Sequence, residues 1–117
     1  MMRGTLFAIA ISVLAILNSC STPKQTAPAE AELQSEGEGL YLDHCADCHE
    51  MFNPELHKQP PKLHGLFLRP TLPSGAPATD EQVRKTIIEG RGTMPAFDQR
   101  LQKDEVDALL NYLHRLN

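Results

Sequence analysis

The chain contains no tryptophan, and aromatic residues make up only 5% of its 117 residues. So few aromatic side chains supply a thin core, and a chain of this length accommodates one domain. Eleven Lys and Arg residues stand against 15 Asp and Glu residues, which gives a net charge of −4 and excludes nucleic acid as a partner. With 41% apolar residues, the chain is also too apolar to be wholly disordered.

Cysteine and long apolar runs are scarce as well. Three cysteines are too few for a disulfide scaffold. The longest apolar run covers residues 6–17, whereas about 20 apolar residues are needed to cross a bilayer. The sequence has no alternating strand pattern, no internal repeat and no dinucleotide fingerprint. These absences exclude a disulfide-rich mini-protein, a polytopic membrane protein and a dinucleotide-binding fold.

Residues 1–19 have the pattern of an export signal, with Arg3 before the short apolar run and no acidic residue. The segment ends in Leu17-Asn18-Ser19-Cys20, which resembles the lipobox of bacterial lipoproteins, although Asn18 departs from the small or β-branched residue usual there. The resemblance implies cleavage before Cys20, acylation of that cysteine and a lipid anchor on the extracytoplasmic or periplasmic side of a membrane. Plain cleavage that leaves a spare cysteine is the alternative.

Residues 20–34 are rich in Pro, Ala, Thr and Glu, and they contain little that could form a core. We interpret them as the acylated cysteine and a flexible tether. The domain then covers residues 35–117. Ser35 and Glu38 fit a capping box that begins a first helix, which runs into Cys45. Six of the nine prolines fall between positions 54 and 77, so this span is predicted to be a loop.

Two further helices are predicted after the loop. Thr79 and Gln82 form a second capping box, and Gly90 ends that helix. The last helix covers about residues 103–116, where apolar residues recur with the helical period at Val106, Leu109, Leu110, Leu113 and Leu116. The predicted fold class is therefore all-α.

The sequence Cys45-Ala46-Asp47-Cys48-His49 matches the C-x-x-C-H motif that attaches a c-type haem. Residues i and i+3 share one face of a helix, so the two sulfur atoms can bond to the two vinyl groups on one porphyrin edge. The adjoining imidazole is then directed at the iron. The motif predicts one covalent haem c, with Cys45 and Cys48 as attachment sites and His49 as a ligand of the iron.

Three other readings of the motif explain less. A structural zinc site needs four Cys or His ligands, and no second cysteine pair or spaced histidine pair exists. A thioredoxin-like dithiol needs a βαβ context. A disulfide between Cys45 and Cys48 is possible but leaves His49 unexplained. Export supports haem attachment, because bacteria attach haem covalently outside the cytoplasm.

With this motif, residues 35–117 resemble a class I monohaem c-type cytochrome of the mitochondrial type. Gly37 and Tyr41 precede Cys45 by eight and four positions, as in that family. There the glycine lets the first helix pack closely on the last, at positions matched here by Leu109 and Tyr112. The resemblance implies a small cytochrome c fold, in which three main helices and long Pro-rich loops surround one covalent haem.

The block Pro61 to Arg69 also matches the family, apart from Leu68, which replaces a usual glycine. The resemblance implies that the Pro61 carbonyl accepts a hydrogen bond from Nδ1 of the haem-ligating histidine. It places Arg69 near a haem propionate, and it makes His64 a structural residue rather than a ligand.

A third block, residues 91–97, contains the Met-Pro-Ala-Phe sequence that delivers the distal ligand in bacterial relatives. It lies in a Gly- and Pro-rich loop, a poor place for a methionine that merely packs. The resemblance implies that Met94 is the second axial ligand. Met51 follows His49 by only two positions and stays on the same side of the ring. Other formal substitutes are more simply explained as exposed polar residues: His44, His57 and His114.

The family tryptophan that helps to bury a propionate is missing, and only 25 positions separate Arg69 from Met94. We therefore expect an exposed propionate edge, with Arg91 or Thr93 as partial replacements for the tryptophan. An apolar haem pocket is expected from six residues: Leu40, Leu63, Leu66, Phe67, Phe97 and Leu110.

The expected function is one-electron transfer by a His/Met-ligated haem, in a monomer tethered to the membrane through Cys20. Its partners would be redox proteins of a respiratory chain. Two alternatives remain. The chain is a haem c subunit of a larger oxidoreductase complex, or it is a haem enzyme or gas-binding protein in which the Met94 ligand is labile.

Overall fold

A computed structural model of the chain describes residues 27–116. Within them the chain forms no strand, only two isolated bridges, and the all-α prediction is confirmed. One short 3-10 helix covers Leu66–Leu68. The α-helices are α1 (Ala27–His44), α2 (Ala46–His49), α3 (Asp80–Glu89) and α4 (Lys103–Arg115).

The predicted export signal over residues 1–19, Cys20 and the first part of the predicted tether lie outside the described residues. They therefore stay predictions. Among the helices of residues 27–116, none combines the length and the apolar character that crossing a bilayer requires.

The first helix begins eight residues earlier than its predicted capping box. It starts at Ala27, so that Ser35 lies in the helix interior and does not cap it. The physical reason is composition, because Ala, Glu, Leu and Gln dominate residues 27–34 and all favour helix. Pro28 is compatible with this start, since a proline in the first turn removes an N–H group that has no helical partner. Residues 27–34 therefore belong to α1 rather than to a flexible tether.

The main helix pair is α1 and α4. Tyr41 is 1% exposed, and its ring lies 5.3 Å from the ring of Tyr112 at an angle of 45°. Such tilted pairs are favourable beyond the area that they bury. Gly37 sits one turn before Tyr41 and lets the two helix backbones approach. The predicted packing of the first helix on the last is present.

The ends of α3 and α4 follow the local sequence. The backbone N–H of Gln82 donates to Oγ1 of Thr79 over 3.4 Å, and Gly90, with a φ of 71°, ends α3 as predicted. At α4, the backbone N–H of Gln102 donates to Oε2 of Glu105 over 2.7 Å. The carboxylate of Glu105 therefore satisfies a backbone donor at the start of α4.

The core lies between α1, α3 and α4, and the periodic apolar residues of the last two helices supply most of it. Buried residues on these helices include Val83, Ile87, Val106, Ala108, Leu109, Leu110 and Leu113.

Candidate haem site

The junction between α1 and α2 positions the C-x-x-C-H motif. Cys45 joins the two helices, its N–H donates to the carbonyl of Tyr41, and its own carbonyl accepts from the N–H of His49, both over 2.9 Å. Cys45 and His49 are consequently buried, whereas Cys48 is exposed. The two cysteines are not joined in a disulfide. Burial, and to a lesser extent the neighbouring Cys48, raises the pKa of the Cys45 thiol to about 11.

The ring of His49 is fixed by one hydrogen bond. Its Nδ1 lies 2.7 Å from the carbonyl oxygen of Pro61, at the position that the family resemblance implies. A carbonyl oxygen can only accept, so Nδ1 is the protonated nitrogen. This tautomer leaves Nε2 as the atom with a lone pair for a metal.

A cavity of about 480 Å³ lies beside this histidine. Cys45, Cys48, His49 and Met94 all line it, although Met94 comes from a separate loop between α3 and α4. The rest of the wall is mainly apolar and comes from the Pro-rich loop, the 3-10 helix, α3, α4 and the Met94 loop. These apolar residues include Leu56, Leu63, Leu66, Leu72, Val83, Ile87, Phe97, Leu109 and Leu113.

Three of the six residues predicted for the apolar pocket do not line the cavity. These residues are Leu40, Phe67 and Leu110. Leu110 is 3% exposed within the helical core, and Leu40 packs against that core. Phe67 instead stacks on the imidazole of His114, with ring centroids 3.8 Å apart. These three side chains stabilise the helix packing around the site rather than the site itself.

Helices α3 and α4 contribute cavity walls that the predicted pocket did not include. Val83 and Ile87 on α3, and Leu109 and Leu113 on α4, face the cavity. Each pair is spaced i, i+4, so the period did identify one face of each helix. The helical period does not distinguish a face that packs against another helix from a face that lines a cavity. Leu72, from the Pro-rich loop, had no periodic signal.

A tight turn presents Met94. The backbone groups of Arg91 and Met94 exchange two hydrogen bonds of 3.0 Å each, and the N–H of Phe97 donates to the carbonyl of Ile87 over 3.1 Å. Met94 is half-buried and lines the cavity. Met51, in contrast, is 60% exposed and does not line it.

The histidines considered as substitutes have other surroundings. His57 and His114 do not line the cavity. His114 pairs with Asp80, with Nε2 2.6 Å from Oδ1. His44 does line the cavity and packs edge-on against Phe97, with ring centroids 5.8 Å apart.

Arg69 is bonded to the Pro-rich loop, and its predicted place near a propionate stays a prediction. Its Nη2 donates to the backbone carbonyls of Lys62 and His64, over 2.9 and 3.0 Å, and the residue does not line the cavity. The guanidinium is held there because it satisfies two carbonyls of an irregular loop. Lys58 and Arg91 are instead the Lys and Arg residues that line the cavity within residues 27–116, and Thr93 lines it as well.

The residues around the cavity fit a covalently attached haem. The walls are apolar, two thiols stand three positions apart, and an imidazole and a thioether line the same space. The volume lies within the range of about 300–1,000 Å³ that is usual for ligand and cofactor pockets. No three His, Cys, Asp or Glu side chains of residues 27–116 are arranged to hold a metal ion directly.

The fold and this site define a monohaem c-type cytochrome. The family described as cytochrome c oxidase, cbb3-type, subunit III matches residues 32–113, and the chain belongs to this family. A cytochrome c6 of Cladophora glomerata is 29% identical over 85 residues, which cover 73% of this chain and 90% of the relative. A cytochrome c6 of Picosynechococcus sp. is 31% identical over 112 residues, which cover 92% of this chain and 90% of the relative.

Proposed function

We propose that the protein is a one-electron carrier, in which haem c is bound through Cys45 and Cys48 and has His49 and Met94 as its axial ligands. One observation carries the proposal. A buried imidazole with a fixed tautomer and a half-buried thioether come from distant segments and line the same apolar cavity. The two cytochrome c6 relatives support electron transfer as the role.

Haem supplies a centre that gains or loses one electron. His49, held by Pro61, donates a nitrogen in a fixed orientation, which limits reorganisation of the site during transfer. Met94 supplies a thioether, and His/Met ligation raises the reduction potential of c-type cytochromes. If His49 and Met94 both bound the iron, no position on it would remain open for a substrate. The apolar walls exclude water, which also favours the reduced state.

We further propose that Cys20 carries a lipid anchor, so that the domain works at the extracytoplasmic face of a membrane. The lipobox resemblance and the requirement for haem attachment outside the cytoplasm support this location. Two or more acyl chains are enough for stable anchoring. A Cys20→Ser variant exported by a signal peptide whose cleavage does not depend on Cys20 should move from the membrane fraction to the soluble fraction and keep its haem. A variant that remains in the membrane fraction would refute the anchor.

The test of the carrier is the holoprotein produced by export with a haem-attachment system. We expect intact-mass spectrometry to show the polypeptide plus one haem. The ferric spectrum should be low-spin, with the charge-transfer band of a thioether bound to iron. A colourless polypeptide with free thiols would overturn the proposal. A high-spin resting state would favour an enzyme or a gas-binding protein instead.

A second candidate function is a haem subunit of a larger oxidoreductase. The observation that favours it is the family itself, whose description names a subunit of an oxidase. Extraction of membranes with a mild detergent, followed by size-exclusion chromatography, separates the two candidates. A free carrier elutes alone at the size of a monomer, whereas a subunit elutes with the other chains of the complex.

A further inference from the structure

Two neighbouring hydrogen bonds join α2 to the Pro-rich loop. The first is the bond between Nδ1 of His49 and the carbonyl oxygen of Pro61. In the second, Nζ of Lys62 donates to the carbonyl oxygen of Glu50. The consecutive residues His49 and Glu50 are therefore bonded to Pro61 and Lys62, which are also consecutive in the chain. The Lys62 bond fixes the register of the loop against α2 at the point where the imidazole is held.

Glu50 is also tied to the helical core through its side chain. The hydroxyl of Tyr41 donates to Oε1 of Glu50 over 2.9 Å, and Tyr41 is buried against Tyr112. Burial, followed by the hydrogen bond and the charge of Glu50, raises the pKa of Tyr41, so its hydroxyl stays protonated as a donor. The residue that follows the imidazole is thus connected to the α1–α4 pair.

Lys62 is held from its other side by Arg69. The guanidinium Nη2 of Arg69 donates to the carbonyl of Lys62 over 2.9 Å and to the carbonyl of His64 over 3.0 Å. The side chain of Lys62 therefore donates to the backbone of Glu50, and the backbone carbonyl of Lys62 accepts from Arg69. Because Pro61 immediately precedes Lys62, these contacts determine where the Pro61 carbonyl lies.

We propose that Tyr41, Lys62 and Arg69 are positioning residues that set the strength of the hydrogen bond between His49 and Pro61. The inference rests on the proposed function, because it takes His49 as the axial ligand. A hydrogen bond from the second ring nitrogen raises the basicity of a metal-bound imidazole. A more basic imidazole stabilises ferric iron. Loosening these contacts weakens that bond and therefore raises the reduction potential.

The experiment compares holoproteins that carry Tyr41→Phe or Lys62→Met with matched controls. Tyr112→Phe removes the hydroxyl of the ring that packs on Tyr41. The Tyr112 hydroxyl makes none of the side-chain hydrogen bonds found within residues 27–116, so this variant controls for the loss of a hydroxyl alone. Lys85→Met removes an exposed lysine from α3. The readouts are the reduction potential, and the chemical shift and solvent-exchange rate of the His49 Nδ1–H proton in the ferrous protein.

In both test variants we expect an upfield shift of the Nδ1–H resonance, several-fold faster exchange of that proton and a higher reduction potential. Arg69→Met should change all three in the same direction, and Lys62→Arg, which keeps a donor, should restore wild-type values. The two controls should match the wild type. If Tyr41→Phe fails to bind haem, the surface variant Lys62→Met carries the test alone.

The inference is overturned if Lys62→Met leaves the shift, the exchange rate and the potential at wild-type values, even if thermal stability falls. This failure is distinct from failure of the proposed function. The latter would appear in the wild-type protein itself, as a spectrum without histidine and thioether ligation.

Discussion

The backbone of Gly37 lies so close to α4 that a Cβ atom at this position would be 2.3 Å from the carbonyl oxygen of Ala108. The same atom would be 2.7 Å from Cβ of Tyr112. Neither neighbour is the flexible end of a side chain, so the helices themselves would have to separate. The distance between α1 and α4 therefore depends on a glycine at position 37.

We expect Gly37→Ala to lower the free energy of unfolding of the holoprotein by about 1–3 kcal/mol, the usual effect of overpacking. Gly39→Ala is the matched control, because nothing lies within 4 Å of a Cβ atom there. That change should be neutral or should stabilise α1 by about 0.5–1 kcal/mol, since alanine favours helix over glycine. Guanidinium unfolding of both variants measures the difference. Equal effects of the two substitutions would contradict this account of the helix pair.

Met94→Leu should abolish the thioether charge-transfer band of the ferric protein and lower its reduction potential. Leucine has a similar volume but no sulfur, so the change removes the ligand and keeps the packing. Met51→Leu is the control and should leave both properties unchanged, because Met51 is 60% exposed and does not line the cavity. Spectra and potentiometric titration of the two variants decide the assignment. Loss of the band in Met51→Leu alone would refute Met94 as the ligand.

Replacing both Cys45 and Cys48 by serine should leave the domain largely unfolded. The cavity wall contains many of the buried apolar residues, and without the cofactor a domain this small has too little core to be stable. Circular dichroism during heating should show little helix and no cooperative transition. A cooperative melt with native-like helix content would show that the chain folds without haem.

The ion pairs at Asp107 predict a loss of stability in acid. The carboxylate accepts hydrogen bonds from Lys103 and Arg84, and these lower its pKa from the ordinary value of 3.8. A folded-state pKa below the unfolded one gives stability that is complete above about pH 3.8 and is lost as the pH falls through the folded value.

Asp107→Asn should therefore flatten the dependence of stability on pH below 3.8, and denaturant unfolding at several pH values measures this. Asp98→Asn, at an exposed carboxylate in the loop before α4, is the control and should keep the wild-type profile. An unchanged profile in the Asp107 variant would contradict the role of this ion pair.

Charge is distributed unevenly along the chain, and this bears on the redox partner. Residues 27–57 contain eight acidic residues and no Lys or Arg. We expect the association rate with the electron-transfer partner to fall as ionic strength rises, which is the behaviour of opposite charges. Stopped-flow measurements at several salt concentrations test this. A rate that rises with salt would mean that like charges meet, and an unchanged rate would indicate an apolar contact.

A matched pair of variants locates the effect. Asp43→Asn combined with Asp47→Asn should reduce the salt dependence, because both carboxylates are exposed next to the cysteines. Glu89→Gln, at the end of α3, should change it less.

Features that depend on near neighbours in the chain were predictable. The Thr79 cap, the end of α3 at Gly90 and the apolar face of α4 follow from a few consecutive residues, and the structure has all three. The contact between His49 and Pro61 was also expected, but only through the resemblance to a family. Nothing in the local sequence connects two residues twelve positions apart.

Features that depend on distant packing were not predictable. A capping box at Ser35 and Glu38 looked like a helix start, although the strong helix formers before it continue α1 back to Ala27. Phe67 looked like a pocket residue, but the last turn of α4 brings His114 onto its ring. The two loop carbonyls that accept hydrogen bonds from Arg69 were likewise not evident from the sequence.

Backbone contacts hold the turn that carries Met94 at both of its ends. Its two mutual backbone bonds close it, Phe97 fastens one side to α3, and Gly90 lies so near that a Cβ atom there would be 2.7 Å from the carbonyl oxygen of Met94. The backbone beneath this side chain is therefore held in place, and only the side-chain torsions remain free to move the sulfur. If Met94 binds the haem iron as proposed, a small molecule that competes for the iron would have to wait for these torsions to rotate or for the whole turn to open, so its entry rate would report that motion.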